Sequence, residues 1–126
     1  MPPRSLSSAE KIYRNKKLIL QELRKGASRA LKDSSVTQVI LFGSLAGDNF
    51  GLYSDADLLL VLEESKYKRF FDRIPEFLDY FTNVPIPVDL FPYKEDEIEK
   101  MKNSGNRLIL MALKEGVVLA GKLREK

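Results

Sequence analysis

The apolar positions of this chain recur with two different periods, and the change from one to the other predicts its elements. Apolar side chains recur at helical spacing over residues 7–31, which predicts one long helix with Ser7 as its N-cap. Val36–Phe42 is a continuous apolar run, rich in β-branched residues, and is typical of a strand. Residues 57–62 are predicted to form a second strand, which is apolar at every position beyond Asp57. Because this second strand is apolar on both faces, we predict a central strand covered by helices.

The second half of the chain continues with helices and strands. Residues 67–81 carry apolar and aromatic side chains at helical spacing, and Pro75 is predicted either to kink this helix or to begin a second one. The aromatic stripe fits a core better than a platform for stacking bases. Residues 88–91 are predicted to form a third strand that Pro92 ends. The remaining elements are two helices and a short strand or extended segment, at residues 94–102, 107–115 and 117–120.

These elements predict a single α/β (α+β) domain over residues 1–126, in which helices pack against a small mixed sheet and residues 1–6 are disordered. A chain of 126 residues is long enough for one such core. No apolar run approaches the roughly 20 residues that a bilayer-spanning helix needs. Residues 1–9 also lack the apolar core of a signal peptide. We therefore predict a cytoplasmic protein that does not bind membranes.

The composition narrows the chemistry that this chain can perform. It contains no cysteine and no histidine, which excludes disulfides, thiolate or imidazole metal sites and Ser-His-Asp catalysis. Carboxylates remain as the catalytic groups. The net charge is only +3, but basic residues concentrate on the first predicted helix, at Arg14, Lys16, Lys17, Arg24, Lys25, Arg29 and Lys32. A solvated face is the preferred interpretation, and a surface for nucleic acid or an acidic partner is the alternative.

The segment between the first two predicted strands carries the most informative pattern. Gly43-Ser44 is followed by ten residues and then by Asp55-Ala56-Asp57, with a short helical turn after Ser44 and a loop over residues 47–54. Side chains alternate along a strand, so Asp55 and Asp57 point to the same side, with Cα atoms roughly 6.5–7 Å apart. Asp89 adds a third carboxylate in the third predicted strand. Such carboxylates suit divalent cations, and Gly43 and Ser44 suit close contact with a polyphosphate.

Each part of this pattern also has a purely structural interpretation. A Gly-Ser pair after a strand is often only a turn, and an Asp-x-Asp at a strand start is often solvated. Asp89 lies among apolar residues, where burying a carboxylate is costly unless it is paired or binds a metal. Its structural alternative is an outward-facing position on an edge strand. The three parts together, in this order, favour the functional interpretation.

Over residues 36–90 the chain resembles the nucleotidyltransferase superfamily that includes DNA polymerase beta, and most closely its smallest members, the minimal nucleotidyltransferases. The resemblance implies that Gly43 and Ser44 contact the triphosphate of the substrate. It implies two Mg²⁺ ions held by Asp55, Asp57 and Asp89, with Asp89 also helping to activate the acceptor hydroxyl. The implied reaction is the transfer of a nucleoside monophosphate, AMP from ATP, to a hydroxyl with loss of pyrophosphate.

The resemblance also implies a partner protein. Minimal nucleotidyltransferases are often paired with a small helical HEPN-domain protein, in some cases as the antitoxin of a toxin RNase, and some modify a tyrosine of that partner with AMP. Larger relatives carry a helical domain that holds the acceptor. This chain is too short for one, so we expect the acceptor on another chain. Many relatives have an arginine directly after Gly-Ser, where this chain has Leu45.

Two other functions remain open at this point. A non-catalytic module could neutralise its partner by contact alone, an alternative that the missing arginine motivates. A transferase acting on a small molecule or an RNA end would be consistent with the basic first helix and the aromatic stripe. Nucleic acid is a possible partner but is not favoured.

Overall fold

The structure, a computed structural model, describes residues 8–47 and 55–121, and it places four helices and four strands in them. The helices are α1 (Ser8–Asp33), α2 (Phe70–Leu78), α3 (Glu95–Asn103) and α4 (Arg107–Glu115). The strands are β1 (Val36–Phe42), β2 (Ala56–Leu62), β3 (Val88–Lys94) and β4 (Val117–Gly121). Two short 3-10 turns occupy Ser44–Ala46 and Asp79–Phe81. The predicted N-cap Ser7, the predicted disorder of residues 1–6 and most of the predicted loop over 47–54 lie outside the described residues.

The four strands form one mixed sheet in the order β3-β2-β1-β4. β1 pairs antiparallel with both β2 and β4, whereas β2 pairs parallel with β3. β2 therefore has a neighbour on each side, and its last five residues are all buried. This arrangement confirms the predicted fold class and the central position of β2. Among the described helices, none combines the length and the apolar character that crossing a bilayer would require.

The sheet separates two apolar cores because alternate residues of each strand point to opposite faces. The larger core lies between the sheet and α1, whose buried residues are Ile19, Leu23, Ala27 and Ala30. The smaller core lies on the opposite face, under α3 and α4. Its buried members are Ile40, Phe42, Leu59, Val61, Ile98, Ile109 and Ala112.

The helix predicted over residues 67–81 is shorter than expected, since α2 has only nine residues and a 3-10 turn follows it. Pro75 lies inside α2, so the alternative in which Pro75 begins a second helix is wrong. The aromatic stripe divides between two environments. Phe77 and Phe81 are buried in the larger core, as predicted, whereas Phe71 is 68% exposed.

β3 continues through Pro92 to Lys94, so the prediction that Pro92 ends the strand is wrong. β3 is an edge strand that pairs only with β2. Proline is tolerated in such a strand where its missing N–H would point away from the neighbour. The carbonyl of Pro92 points to that open side, where it accepts a hydrogen bond from Arg73 Nη1 at 3.1 Å.

Arg73 of α2 is the one charged side chain that is fully buried among the described residues. All five of its N–H donors are used. Three hydrogen bonds go to the backbone carbonyls of Tyr67, Lys68 and Pro92. The other two go to the carboxylate of Glu97, at 2.6 Å from Nη1 and 3.2 Å from Nη2. The carbonyls of Tyr67 and Lys68 thus bond to Arg73, and helical structure begins only at Phe70.

Glu97 also closes the N-terminus of α3. Its Oε1 accepts a hydrogen bond from the backbone N–H of Lys94 at 2.7 Å, as part of a capping box. Burial raises the pKa of Glu97, but the hydrogen bonds from Arg73 and Lys94 outweigh burial and hold the pKa below its usual range. The carboxylate is therefore ionised and paired with Arg73 at neutral pH.

Replacing Glu97 with Gln should destabilise the protein by about 2–3 kcal/mol, because the buried Arg73 guanidinium would lose its counter-charge. Urea unfolding at pH 7 measures this as a lower midpoint at an unchanged m-value. Arg69→Gln is the matched control. It breaks the exposed Arg69–Asp72 pair, whose atoms lie 3.2 Å apart, and should change stability by less than about 0.5 kcal/mol. Equal effects of the two variants would contradict the importance assigned to the buried pair.

Candidate active site

Three strands place the predicted site residues at one end of the sheet. β2 and β3 run parallel and begin there, and β1 runs antiparallel to β2 and ends there. In the pairing register, Phe42 of β1 lies opposite Asp57 of β2, and Asp57 lies opposite Asp89 of β3. Neighbouring strands are about 4.8 Å apart and directly opposite side chains share a face. Asp57 and Asp89 are thus adjacent carboxylates on the same face of the sheet.

That face is the one covered by α3 and α4. Phe42 is buried in the smaller core, and Phe91, which alternates with Asp89 along β3, packs against this core. The rings of Phe42 and Phe91 lie 5.6 Å apart between centroids. The Asp57–Asp89 pair therefore lies at the edge of an apolar layer. Asp55 immediately precedes β2 and is exposed.

The electrostatics of Asp57 reflect this setting. Asp57 is half-buried, whereas Asp55 and Asp89 are exposed. Burial raises the pKa of Asp57 above its ordinary value, and the negative charges of Asp89 and then Asp55 raise it further. Asp55 and Asp89 are thus both close enough to act on Asp57.

Gly43 lies beside the carboxylate of Asp57. Its φ is 81°, a conformation that residues with a Cβ rarely adopt. A Cβ placed on Gly43 would lie 2.6 Å from Asp57 Oδ2. Glycine is therefore needed here both for the backbone turn after β1 and for the space that the Asp57 carboxylate occupies.

In the turn after Gly43, the exposed residue Ser44 is followed directly by the buried residue Leu45. The backbone N–H groups of Ala46 and Gly47 donate to the carbonyls of Gly43 and Ser44, at 3.1 and 3.3 Å. Ser44 is exposed, and its hydroxyl makes no hydrogen bond with any described residue. Leu45 is 1% exposed and belongs to the larger core under α1. The side chain at position 45 thus points into the protein.

The structure brings together most of what the sequence pattern predicted, with two differences. Gly43 lies beside the carboxylate of Asp57, and the negative charges of Asp55 and Asp89 act on that carboxylate. As the side chains stand, however, no three acidic residues within the described part of the chain form a group that would hold a metal ion. Asp89 is exposed on an edge strand, which was its structural alternative. The argument that Asp89 must be paired or bind a metal because it is buried is therefore wrong.

One residue near this turn was not singled out by the sequence pattern. Lys16 of α1 donates from Nζ to the carbonyl of Gly47 at 3.0 Å. Lys16 is 31 positions away in sequence and is one of several basic residues on the same helix. No local signal distinguishes it from its neighbours, and only the packing of α1 across the sheet reveals the contact.

Comparison with known proteins assigns the chain to a family. A family model described as the nucleotidyltransferase domain matches residues 20–118. The chain belongs to this family. It is thus a nucleotidyltransferase, as the resemblance of the Gly43–Asp89 region implied. A comparison with curated proteins finds no match.

One solved structure agrees with this assignment at the level of the fold. A Sulfolobus solfataricus protein to which nucleotidyltransferase activity is attributed superposes with a TM-score of 0.67 at 18% identity, over 94% of each chain. This likeness shows a shared fold. A toxin-antitoxin structure with AMP-PNP has a TM-score of 0.49 at 17% identity, over 79% of this chain and 73% of that chain. That score is too low to indicate a common fold.

Gly43→Ala should destabilise this nucleotidyltransferase by about 2 kcal/mol or more, because it combines backbone strain with the contact to Asp57. Two glycines provide matched controls. Gly105 has a φ of 78° but open space around it, so Gly105→Ala should cost only the strain, about 1 kcal/mol. Gly47 has ordinary φ and open space, so Gly47→Ala should stay within about 0.5 kcal/mol. Urea unfolding measures all three, and a Gly43→Ala effect no larger than that of Gly105→Ala would contradict the contact.

Asp57→Asn should be more stable than the wild type at pH 7, by about 2 °C in Tm. The raised pKa means that folded Asp57 keeps its proton to a higher pH than the unfolded chain does. Its favourable contribution is complete below the ordinary value of 3.8 and is lost as the pH rises through the folded pKa. The stability difference should therefore vanish near pH 3.8 and grow toward neutrality.

Thermal unfolding of both proteins between pH 3.5 and 7 tests this. Asp79→Asn changes an exposed carboxylate outside the site and serves as the control. An advantage of Asp57→Asn that increases as the pH falls would mean that the site favours the ionised form of Asp57, opposite to the expectation.

Proposed function

We propose that this nucleotidyltransferase transfers AMP from ATP, with Mg²⁺, to a hydroxyl group of a partner protein in the cytoplasm. The observation that carries the proposal is the in-register pair of Asp57 and Asp89, with Asp55 beside it and with a raised pKa at Asp57. Carboxylates that repel one another at a sheet end are costly for folding, and a bound cation would relieve that cost.

The donor set suits Mg²⁺. All three candidate ligands, Asp55, Asp57 and Asp89, are carboxylates, which are the ligands that hard divalent cations prefer. Asp55 and Asp89 are exposed, so their side chains can rotate toward Asp57. When bound, Mg²⁺ would neutralise the charge on the phosphate oxygens and favour ionisation of the attacking hydroxyl.

The residues of the chain supply binding and proton transfer. Gly43 places the backbone of the turn beside the Asp57 carboxylate, where it would contact the triphosphate, and the hydroxyl of Ser44 is available to donate to a phosphate oxygen. Asp89 lies at the open edge of the sheet, where it would accept the proton of the acceptor hydroxyl. The hydroxyl oxygen forms a bond to the α-phosphorus, and the bond from this phosphorus to the bridging oxygen breaks. Pyrophosphate leaves with the electrons of that bond.

A protein acceptor is supported by the exposed surface of the chain's last elements. α4 and β4 expose Leu110, Leu113, Val117 and Val118 to between 39% and 52%. Exposed apolar side chains that form one contiguous patch often mark a protein contact, and these four come from two consecutive elements. We propose that the partner is a small helical HEPN-type toxin, which the transferase silences by AMP modification of a tyrosine.

Isothermal titration of ATP into the protein tests the nucleotide site. With Mg²⁺ present ATP should bind, and with a chelator its affinity should fall at least about tenfold. Asp57→Asn should lose the same affinity although it is the more stable protein, so unfolding cannot explain the loss. Asp79→Asn should bind normally. ATP binding that is indifferent to both Mg²⁺ and Asp57 would overturn the proposed site.

The acceptor class is tested separately with ATP labelled at the α-phosphate. The probe acceptors are a purified HEPN-domain protein and a short RNA with a free 3′ hydroxyl. Label that becomes protein-bound, resists nuclease and disappears when the acceptor tyrosine is changed to phenylalanine supports the proposal. Label that enters only the RNA would replace the protein acceptor with an RNA end.

A further inference from the structure

The turn that is proposed to contact the triphosphate has no cation of its own. The segment from Gly43 to Gly47 contains no charged residue. A triphosphate carries several negative charges, and cations placed beside such groups are a general feature of phosphoryl-transfer sites. The position where relatives carry an arginine is occupied by Leu45, which is buried in the core under α1. Any cationic side chain at this turn therefore comes from elsewhere in the chain.

Lys16 brings a cation to this turn from α1. Its Nζ lies 3.0 Å from the carbonyl of Gly47, and Gly47 itself hydrogen-bonds through its N–H to Ser44 at 3.3 Å. One helical turn thus separates the Lys16 ammonium from Ser44. Lysine has three N–H donors. The contact to Gly47 uses one of them, and no carboxylate among the described residues forms an ion pair with Lys16.

We propose that Lys16 is a phosphate-binding residue of the nucleotide site and that it supplies the positive charge missing after Ser44. This inference rests on the proposed function. The hydrogen bond to Gly47 fixes the direction of the side chain, and the remaining two donors contact the phosphates of ATP. The long first helix therefore has a second role besides covering the sheet.

The competing role is structural, in which Lys16 only ties α1 to the carbonyl of Gly47. Glutamine at this position separates the two roles, because its amide N–H can still donate to a carbonyl but carries no charge. Lys16→Arg keeps the charge. Lys17→Gln removes the same charge from the next residue of α1, which is exposed and, among the described residues, makes no hydrogen bond to the turn.

ATP titration calorimetry with Mg²⁺ on the wild type and the three variants tests this inference, with thermal unfolding as the structural readout. Lys16→Gln should weaken ATP binding by roughly 10- to 100-fold, the usual range for a charge-assisted hydrogen bond. Its Tm should remain within about 2 °C of the wild type. Lys16→Arg should stay within about threefold and Lys17→Gln within about twofold of the wild-type affinity.

Normal ATP affinity in Lys16→Gln, beside a wild type whose binding requires Asp57, would overturn the role of Lys16 and leave the proposed function intact. A loss in Lys16→Arg as large as in Lys16→Gln would overturn the role as well, because charge would then not be what matters. No ATP binding by the wild type in Mg²⁺ would overturn the proposed function, and the role of Lys16 with it.

Discussion

The buried guanidinium of Arg73 is the interaction on which the second half of the structure depends. A charge without solvent is tolerated only if it is paired and all its donors are satisfied. Arg73 meets this condition by drawing α2, β3 and the first turn of α3 together around one side chain, through Pro92 and Glu97. β3 continues through Pro92 because it is an edge strand, and Arg73 satisfies the carbonyl of that proline. β3 in turn carries Asp89 at its start and holds it in register with Asp57.

The end of the sheet where β2 and β3 begin shows the opposite electrostatic condition. There, like charges lie close together, and no cationic side chain from the described residues lies between them. The partial burial of Asp57, and then the negative charges of Asp89 and Asp55, raise the pKa of that carboxylate. Such an arrangement disfavours folding and is characteristic of sites that bind cations or handle protons. The fold therefore carries a stabilising ion pair at the side of β3 and a destabilising cluster of like charges at the strand ends.

The turn after β1 places residues on both faces of the sheet. Gly43 leaves space for Asp57 on the face covered by α3 and α4. Two residues later, Leu45 fills the core on the face covered by α1. Lys16 then meets the same turn from the α1 side. The turn thus connects the site to the long first helix, although the two are far apart in sequence.

The sequence by itself determined the element order and the mixed fold, and it singled out the candidate site residues. Hydrophobic periodicity and strand alternation depend only on near neighbours, and the spacing from Gly43 to Asp57 is a local property of the chain. The sequence was misleading at Pro92, because the effect of a proline depends on whether its strand lies at an edge of the sheet. It was also misleading at Asp89, because exposure depends on the same edge position.

Tertiary structure alone decided which charged residues are buried and which meet the site. Arg73 and Lys16 are each one of 21 basic residues, and nothing in their local sequence sets them apart. One is fully buried because Glu97, 24 positions later, folds back onto it. The other contacts the turn because α1 lies across the sheet. Contacts between residues so distant along the chain arise from packing, whereas sequence periodicity reports only which face of its own element a residue occupies.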